Sequence, residues 1–167
     1  MRKRLFMILG MVCLFLFISS VVRAEKLSVP PCGFIAQGHS AGQLHLSGDG
    51  SYIYRKDTIE SYFYTPVYLP HGKIIKWVRF HVSDNDPSSE MRCILLRGNK
   101  YNGTANVIYD VYTSGSSSSV RQFTDASAFN PAHTLVNNDV CTYSVAISFS
   151  GSSGSDKRVH GITIYYE

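Results

Sequence analysis

The strongest catalytic pattern in the sequence is Gly38–Gly42, which matches the Gly-x-Ser-x-Gly nucleophile elbow around Ser40. In a serine hydrolase the elbow holds the serine hydroxyl on a strained turn between a strand and a helix, beside a histidine base. Here residues 43–50 are strand-like and interrupted by glycines, and the rest of the chain lacks alternating strand–helix units. We therefore expect no catalytic residue, and a hydrolase using Ser40 is the third of three hypotheses.

A second group of reactive side chains is acidic. Asp84, Asp86 and Glu90 could offer oxygen ligands to calcium. A hand-type calcium loop counted from Asp84 requires glycine at its sixth position and glutamate at its twelfth. Those positions hold Ser89 and Leu95. A plain turn is the favoured interpretation, so the sequence predicts no cofactor and leaves calcium as a candidate metal.

Aromatic and basic residues form the third group, on two consecutive predicted strands. They fall on the face opposite the apolar side chains of each strand, and flat rings with polar tips suit sugar faces or protein partners. If these faces are exposed to solvent, the adjacent strands present one flat aromatic platform; in the alternative, a long loop or an additional strand covers the rings. The candidate ligand-binding residues are Tyr62, Tyr64, Tyr68, Trp77, Arg79 and His81.

The elements that position these residues are strands, because apolar and polar residues alternate along most of the chain. The predicted strands cover residues 43–46, 51–54, 61–69, 74–82, 91–96, 107–112, 120–123, 141–149 and 159–166. Many short strands separated by turn residues are typical of a sandwich or barrel. We predict an all-β, antiparallel, jelly-roll-like two-sheet sandwich. Residues 25–167 form one domain, in which 25–57 add short strands to a core over 58–167.

Three cysteines lie in this domain. Cys93 and Cys141 are on the apolar faces of their strands, so the pattern predicts either a disulfide between them or two buried thiols. Cys32 is then left over, either free or available for a bond to another chain.

The first 24 residues indicate export. A cationic start, an apolar run over residues 5–18 and small residues before Glu25 have the layout of a cleaved signal peptide over 1–24. The run is short for a membrane span, and no other segment is longer. Four of the 16 lysines and arginines lie in this leader, which leaves 12 against 12 acidic residues and predicts no nucleic-acid partner. We expect a secreted or periplasmic protein without a membrane span.

From Phe63 to Tyr166 the chain resembles a loose group of small exported bacterial β-sandwich proteins. The residues that carry the resemblance are Val67–Gly72, Ser83–Asp86 and Gly161–Tyr166. The resemblance implies a sandwich and export, and it carries over no ligand or catalytic residue.

Two functional hypotheses precede the hydrolase. The first is a secreted, non-catalytic binding or adhesion module that acts through its surface on glycans or on envelope or matrix proteins. The second is a structural subunit of an extracellular assembly, joined through Cys32 as an oligomer.

Overall fold

The alternating residues form eleven strands in the computed structural model, which describes residues 24–36, 44–56, 61–125, 129–151 and 154–167. Ser40 and the predicted signal peptide up to Arg23 lie outside the described residues. The strands are β1 Glu25–Val29, β2 Ile35–Ala36, β3 Leu44–Leu46, β4 Ile53–Arg55, β5 Ser61–Val67, β6 Ile75–Asp84, β7 Met91–Asn99, β8 Ala105–Tyr112, β9 Ser117–Phe123, β10 Cys141–Phe149 and β11 Gly154–Tyr166. Two single 3₁₀ turns are at Pro31–Gly33 and Pro131–His133. Among the described residues, no helix is long and apolar enough to cross a membrane.

The strands form two antiparallel sheets. The six-stranded sheet has the order β3-β4-β11-β6-β9, and β1 also pairs with β11. The five-stranded sheet has the order β2-β5-β10-β7-β8. From β4 onwards, successive strands are distributed between the sheets in the eight-strand double Greek key of a jelly roll. The predicted fold class, an antiparallel two-sheet sandwich, is confirmed.

The inner faces of both sheets form one apolar core. Phe63 and Phe149 of the five-stranded sheet meet edge to face, with ring centroids 5.8 Å apart. Opposite them, Val78, Phe80 and Val82 of β6 have no exposed surface. Each fully buried side chain of this size contributes roughly 1.5–3 kcal/mol to folding. Burial of the inner faces therefore dictates which side chains of every strand point outward.

Cys93 and Cys141 lie on neighbouring strands but far apart along them. Cys93 of β7 is opposite Ile147, whereas Cys141 of β10 is opposite Asn99, six residues further along the ladder. At about 3.3 Å per residue the two cysteines are roughly 20 Å apart, and a disulfide requires Cα atoms within about 7 Å. The predicted disulfide is wrong, and the alternative of two buried thiols holds. Cys32 is exposed, and a bond from it to another chain stays a prediction.

One end of the sandwich contains a buried ion pair. The ammonium of Lys157, 1% exposed, lies 3.1 Å from Asp86 Oδ2. It also donates to Ser89 Oγ at 2.5 Å and to the backbone carbonyl of Ser150. These oxygens replace water around the ammonium, as burial of a charge requires.

A buried arginine fixes the loop that follows β10. Arg55, 1% exposed, donates to the carbonyls of Phe149 and, at 2.9 Å, of Gly151. Gly151 has φ +73°, and a Cβ there would lie 1.8 Å from Ser89 Oγ. The loop therefore packs tightly against the segment that carries Asp86, and the two segments support each other.

Replacing Lys157 with methionine should lower the free energy of unfolding by about 3–5 kcal/mol, because the Asp86 carboxylate stays buried without its cation. Lys73→Met is the matched control, since Lys73 pairs with Glu25 at 2.9 Å on the surface and should contribute less than about 1 kcal/mol. Urea unfolding followed by circular dichroism measures both. Equal losses for the two variants would contradict the assigned role of Lys157.

In a chain spanning 25–167, only Cys32 should react rapidly with a thiol reagent at pH 8. Burial raises the pKa of Cys93 well above its usual value, so its thiol stays protonated and inaccessible. Reaction counts in native buffer and in urea, without a reductant, measure this. If the unfolded chain showed three reactive thiols only after a reductant was added, the prediction of a disulfide between Cys93 and Cys141 would be restored.

Candidate functional site

The candidate binding residues lie on opposite sides of the sandwich. Tyr62 and Tyr64 are on β5 of the five-stranded sheet, whereas Trp77, Arg79 and His81 are on β6 of the six-stranded sheet. A jelly roll places these two consecutive strands in different sheets, so the chain crosses the core between them. The predicted single platform is therefore wrong. Its remaining member is Tyr68, which follows the end of β5 and is 86% exposed.

On the five-stranded sheet, small residues of β10 make room for the tyrosine rings. Tyr62 is opposite Ser148, and Tyr64 is opposite Ala146. The Tyr62 hydroxyl accepts a hydrogen bond of 3.2 Å from Arg92 Nη1, on the far side of β10. Because adjacent strands are about 4.8 Å apart, the Tyr62 side chain must lean across Ser148 to reach it. Ala146 and Ser148 are accordingly 0% and 3% exposed, and the rings of Tyr62 and Tyr64 are 6.3 Å apart.

An arginine–carboxylate pair borders these rings. Arg92 donates from Nε to Asp110 Oδ1 at 2.8 Å and from Nη2 to Oδ2 at 2.6 Å. Its guanidinium carbon lies 5.1 Å from the centre of the Tyr112 ring. The hydrogen bonds with Asp110 raise the pKa of Arg92 above its usual value, against the opposing effect of burial. The fork is held in a single orientation before any ligand arrives.

We call this surface the tyrosine platform; it consists of Tyr62, Tyr64, Arg92, Asp110 and Tyr112. Burial, with a smaller contribution from the charge of Tyr62, raises the pKa of Tyr64, so its hydroxyl remains a neutral donor and acceptor. The platform combines ring surfaces with an ordered planar donor. This is the combination that a polyhydroxylated ring can contact with both its apolar and polar atoms.

The platform continues into a cavity of about 440 Å³ at the end of the sandwich. Arg92 and Tyr112 belong to both, and Ser148, opposite Tyr62, also lines the cavity. The rest of the lining comes from the segment 84–90 and from residues 113, 115 and 150, and it is rich in hydroxyl groups and carboxylates. A ligand lying on the platform would therefore meet hydrogen-bonding groups at one end.

The candidate calcium ligands are in this region. Asp84 Oδ2 accepts from the Thr113 hydroxyl at 2.6 Å, and Asp86 takes the Lys157 ammonium. Glu90 is exposed. Within the described ranges, no group of three or more His, Cys, Asp or Glu side chains could hold a metal ion. The structure thus pairs Asp86 with a cation supplied by the protein, whereas Asp84 accepts from Thr113 and from the backbone N–H of Asp86 at 3.2 Å, and calcium stays a prediction.

On the opposite sheet, the aromatic rings stack against each other. Trp77 is paired with Tyr165 across the strands, and their rings are 4.7 Å apart at 27°. The Arg79 guanidinium lies 5.2 Å from the centre of the same tyrosine ring, and His81 Nε2 is 3.1 Å from Thr163 Oγ1. Ring faces that contact each other are not available to a ligand. The five-stranded sheet therefore offers the better stacking surface.

Sequence reasoning missed Arg92, Asp110 and Tyr112. Each occupies an outward-facing position of its strand, and the alternation of apolar and polar residues predicts that orientation. The contact between them depends on the register of β7 with β8, in which Arg92 is opposite Tyr112 and Ile94 is opposite Asp110. No local pattern specifies that register.

No family model matches the sequence, and no curated protein matches it. The chain is similar to solved carbohydrate-binding modules. One is the CBM36-1 domain of a multidomain xylanase from the hindgut metagenome of Trinervitermes trinervoides, with 12% identity over 84% of this chain and 96% of that domain and a TM-score of 0.49. Another is the xylan-binding module CBM15, with 12% identity over 86% and 97% and a TM-score of 0.48. A family 35 module from Clostridium thermocellum has 13% identity over 84% and 97% and a TM-score of 0.43. At these identities and scores the likeness carries no argument about a ligand.

Proposed function

We propose that the chain is a non-catalytic β-sandwich module that binds a glycan on the tyrosine platform. One observation carries the proposal: Tyr62 leans across the small residues of β10 to hydrogen-bond Arg92, which Asp110 and Tyr112 hold in place. A sugar ring has an apolar face that packs on aromatic carbon and hydroxyls that pair with a fixed guanidinium and carboxylate.

The charges of the platform favour a neutral sugar. Both carboxylate oxygens of Asp110 accept from Arg92, so the two formal charges cancel within the pair. An anionic ligand would compete with Asp110 for the Arg92 guanidinium. The side chains of Arg92 and Asp110 are 27% and 28% exposed. The cavity beside the platform supports the same choice, because its carboxylates disfavour an anionic ligand.

The chemistry of the platform supports binding without catalysis. A serine or cysteine nucleophile requires an adjacent base that is itself oriented, most often a histidine. Among the described residues that form the platform and its cavity there is no histidine or cysteine. The hydroxyls of Ser88, Ser89 and Ser150 there are engaged with Asp86 and with backbone carbonyls.

Tyr64→Ala should weaken binding of a neutral oligosaccharide at least tenfold, equal to about 1.4 kcal/mol, because it removes a ring face from the platform. Tyr62→Phe keeps its ring and loses only the Arg92 contact, so we expect a smaller loss. Cellohexaose, xylohexaose and mannohexaose are the probes, with isothermal titration calorimetry as the measurement.

The control is Tyr101→Ala, which removes a tyrosine that is 80% exposed in the turn after β7, away from the platform. It should leave the affinity unchanged. The proposal would be refuted if none of the three hexasaccharides gave a heat of binding and the protein bound no neutral glycan on an array. A bound sugar whose affinity is the same for Tyr64→Ala and the parent chain would also refute it.

We further propose that the module acts outside the cytoplasm, as a secreted or periplasmic protein. The layout of residues 1–24 supports this, as does the group of exported proteins that the sequence resembles. N-terminal sequencing of the protein expressed from the full chain in a bacterial host should begin at Glu25. Retention of Met1 in the folded protein would contradict cleavage.

A further inference from the structure

The outer face of the six-stranded sheet has a groove of its own. Strand β11 pairs with β4 up to Val159 and with β1 from Ile162 onwards, on the same side. Neither strand pairs with His160 or Gly161, where the register against β6 also shifts. The gap is a groove of about 470 Å³, which we call the imidazole groove; its lining includes Ser28, Pro30, His81, His160, Gly161 and Thr163.

Glycine keeps this groove open. Gly161 has φ +145°, which L side chains rarely adopt, and a Cβ there would lie 3.1 Å from the carbonyl oxygen of Val29. The bulge at this point turns His160 outward beside the groove, where its ring is 5.5 Å from that of Tyr52. The groove is thus a property of the backbone pairing.

The polar groups of the groove are imidazoles and hydroxyls. His81 Nε2 is 3.1 Å from Thr163 Oγ1, and His160 Nε2 is 3.2 Å from Ser83 Oγ. Both rings are half-buried, so each hydrogen bond orients a ring next to the open volume. Further along the same face, Arg79 lies against Tyr165.

Arg79 and Arg158 place positive charge beside the two imidazoles of the groove. Burial lowers the pKa of His81, and the nearby charges of Arg79 and His160 lower it further. Burial also lowers the pKa of His160, with Arg158 adding to the effect, while Asp49 and a hydrogen bond with the backbone of Ser51 act in the opposite direction. Among the described residues, no carboxylate lies within 4.0 Å of the Arg79 guanidinium. An anion in the groove would relieve this repulsion.

We propose that the imidazole groove is a second saccharide site, which takes a carboxylate-bearing sugar such as a uronic acid. The carboxylate lies between Arg79, His81 and His160, and the hydroxyls of Ser28 and Thr163 face the sugar. The choice of a sugar as carrier of the carboxylate rests on the proposed function, but the site is separate from the platform. The two outer faces then bind sugars of different charge.

The proposal entails a pH dependence with a definite sign. A carboxylate binds an imidazolium more strongly than an imidazole, so binding draws protons onto His81 and His160. Their pKa values lie below the ordinary 6.5, so affinity should rise as the pH falls below that value. The charged groups near the two rings are Arg79 on β6, Arg158 on β11 and Asp49 before β4, and the phenol of Tyr52, also before β4, packs against the His160 ring. On β1 and β9 the neighbouring residues are Ser28 and Gln122, which do not titrate.

The test is calorimetric titration of the chain with trigalacturonate, using galactotriose as the neutral match. Between pH 8.0 and pH 5.5 the trigalacturonate affinity should rise about tenfold and fall again with added salt, while galactotriose shows no such change. At pH 5.5, Arg79→Gln and His160→Gln should each weaken trigalacturonate binding about fivefold or more. Lys100→Gln, which removes an exposed cation in the turn after β7, should have no effect.

The variants separate this proposal from the platform. His160 also contacts Ser83, so His160→Gln could weaken binding by destabilising the fold. If this variant lowers the melting temperature, Arg79→Gln is the independent test of the groove. Absence of trigalacturonate binding at pH 5.5 would overturn the groove as a site. Trigalacturonate binding that is lost in Tyr64→Ala and retained in Arg79→Gln would place the acidic sugar on the platform and also overturn it. Failure of the neutral hexasaccharides to bind, by contrast, refutes only the platform.

Discussion

Burial of one apolar face per strand is the constraint on which the rest of the structure depends. Two sheets must cover each other, and the jelly-roll order sends consecutive strands β5 and β6 to different sheets. Every outward side chain is then assigned to one of two surfaces with the whole core between them. The two sheets therefore have separate outer faces, and the residues on one face can change independently of those on the other.

The outer faces of the two sheets differ because different residues lie opposite their aromatic side chains on the neighbouring strand. Across from Tyr62 and Tyr64, β10 supplies Ser148 and Ala146, so the Tyr62 ring leans across the sheet. Across from Trp77, β11 supplies Tyr165, and the two rings stack upright at 4.7 Å. Charge follows the same division, since Arg92 and Asp110 neutralise each other on the first face while Arg79 lies over the Tyr165 ring and near His81 on the second.

At one end of the sandwich, a buried charge holds two segments of the chain together. The Lys157 ammonium gathers Asp86, Ser89 and the carbonyl of Ser150, which joins the start of the 84–90 segment to the loop after β10. Of the acidic residues that suggested calcium in the sequence, Asp86 is therefore the one that pairs with this internal cation. Since Asp84 and Asp86 also line the cavity beside the platform, this network shapes the proposed glycan site without touching the rings.

Alternation in the sequence by itself determined that the chain is an antiparallel sandwich, that Phe63 and Phe80 point inward and that Tyr62, Tyr64, Trp77 and Arg79 point outward. A period of two residues reports only the faces of a single strand. It does not say which sheet the strand joins or which residue stands opposite, because those depend on contacts between distant segments. Only the tertiary structure therefore decided that Trp77 lies on the far side from Tyr62, that Arg92 meets Asp110, and that Cys93 and Cys141 sit six residues out of register. The gap beside Gly161 has the same origin, since it exists only where two strands that pair with β11 fail to meet.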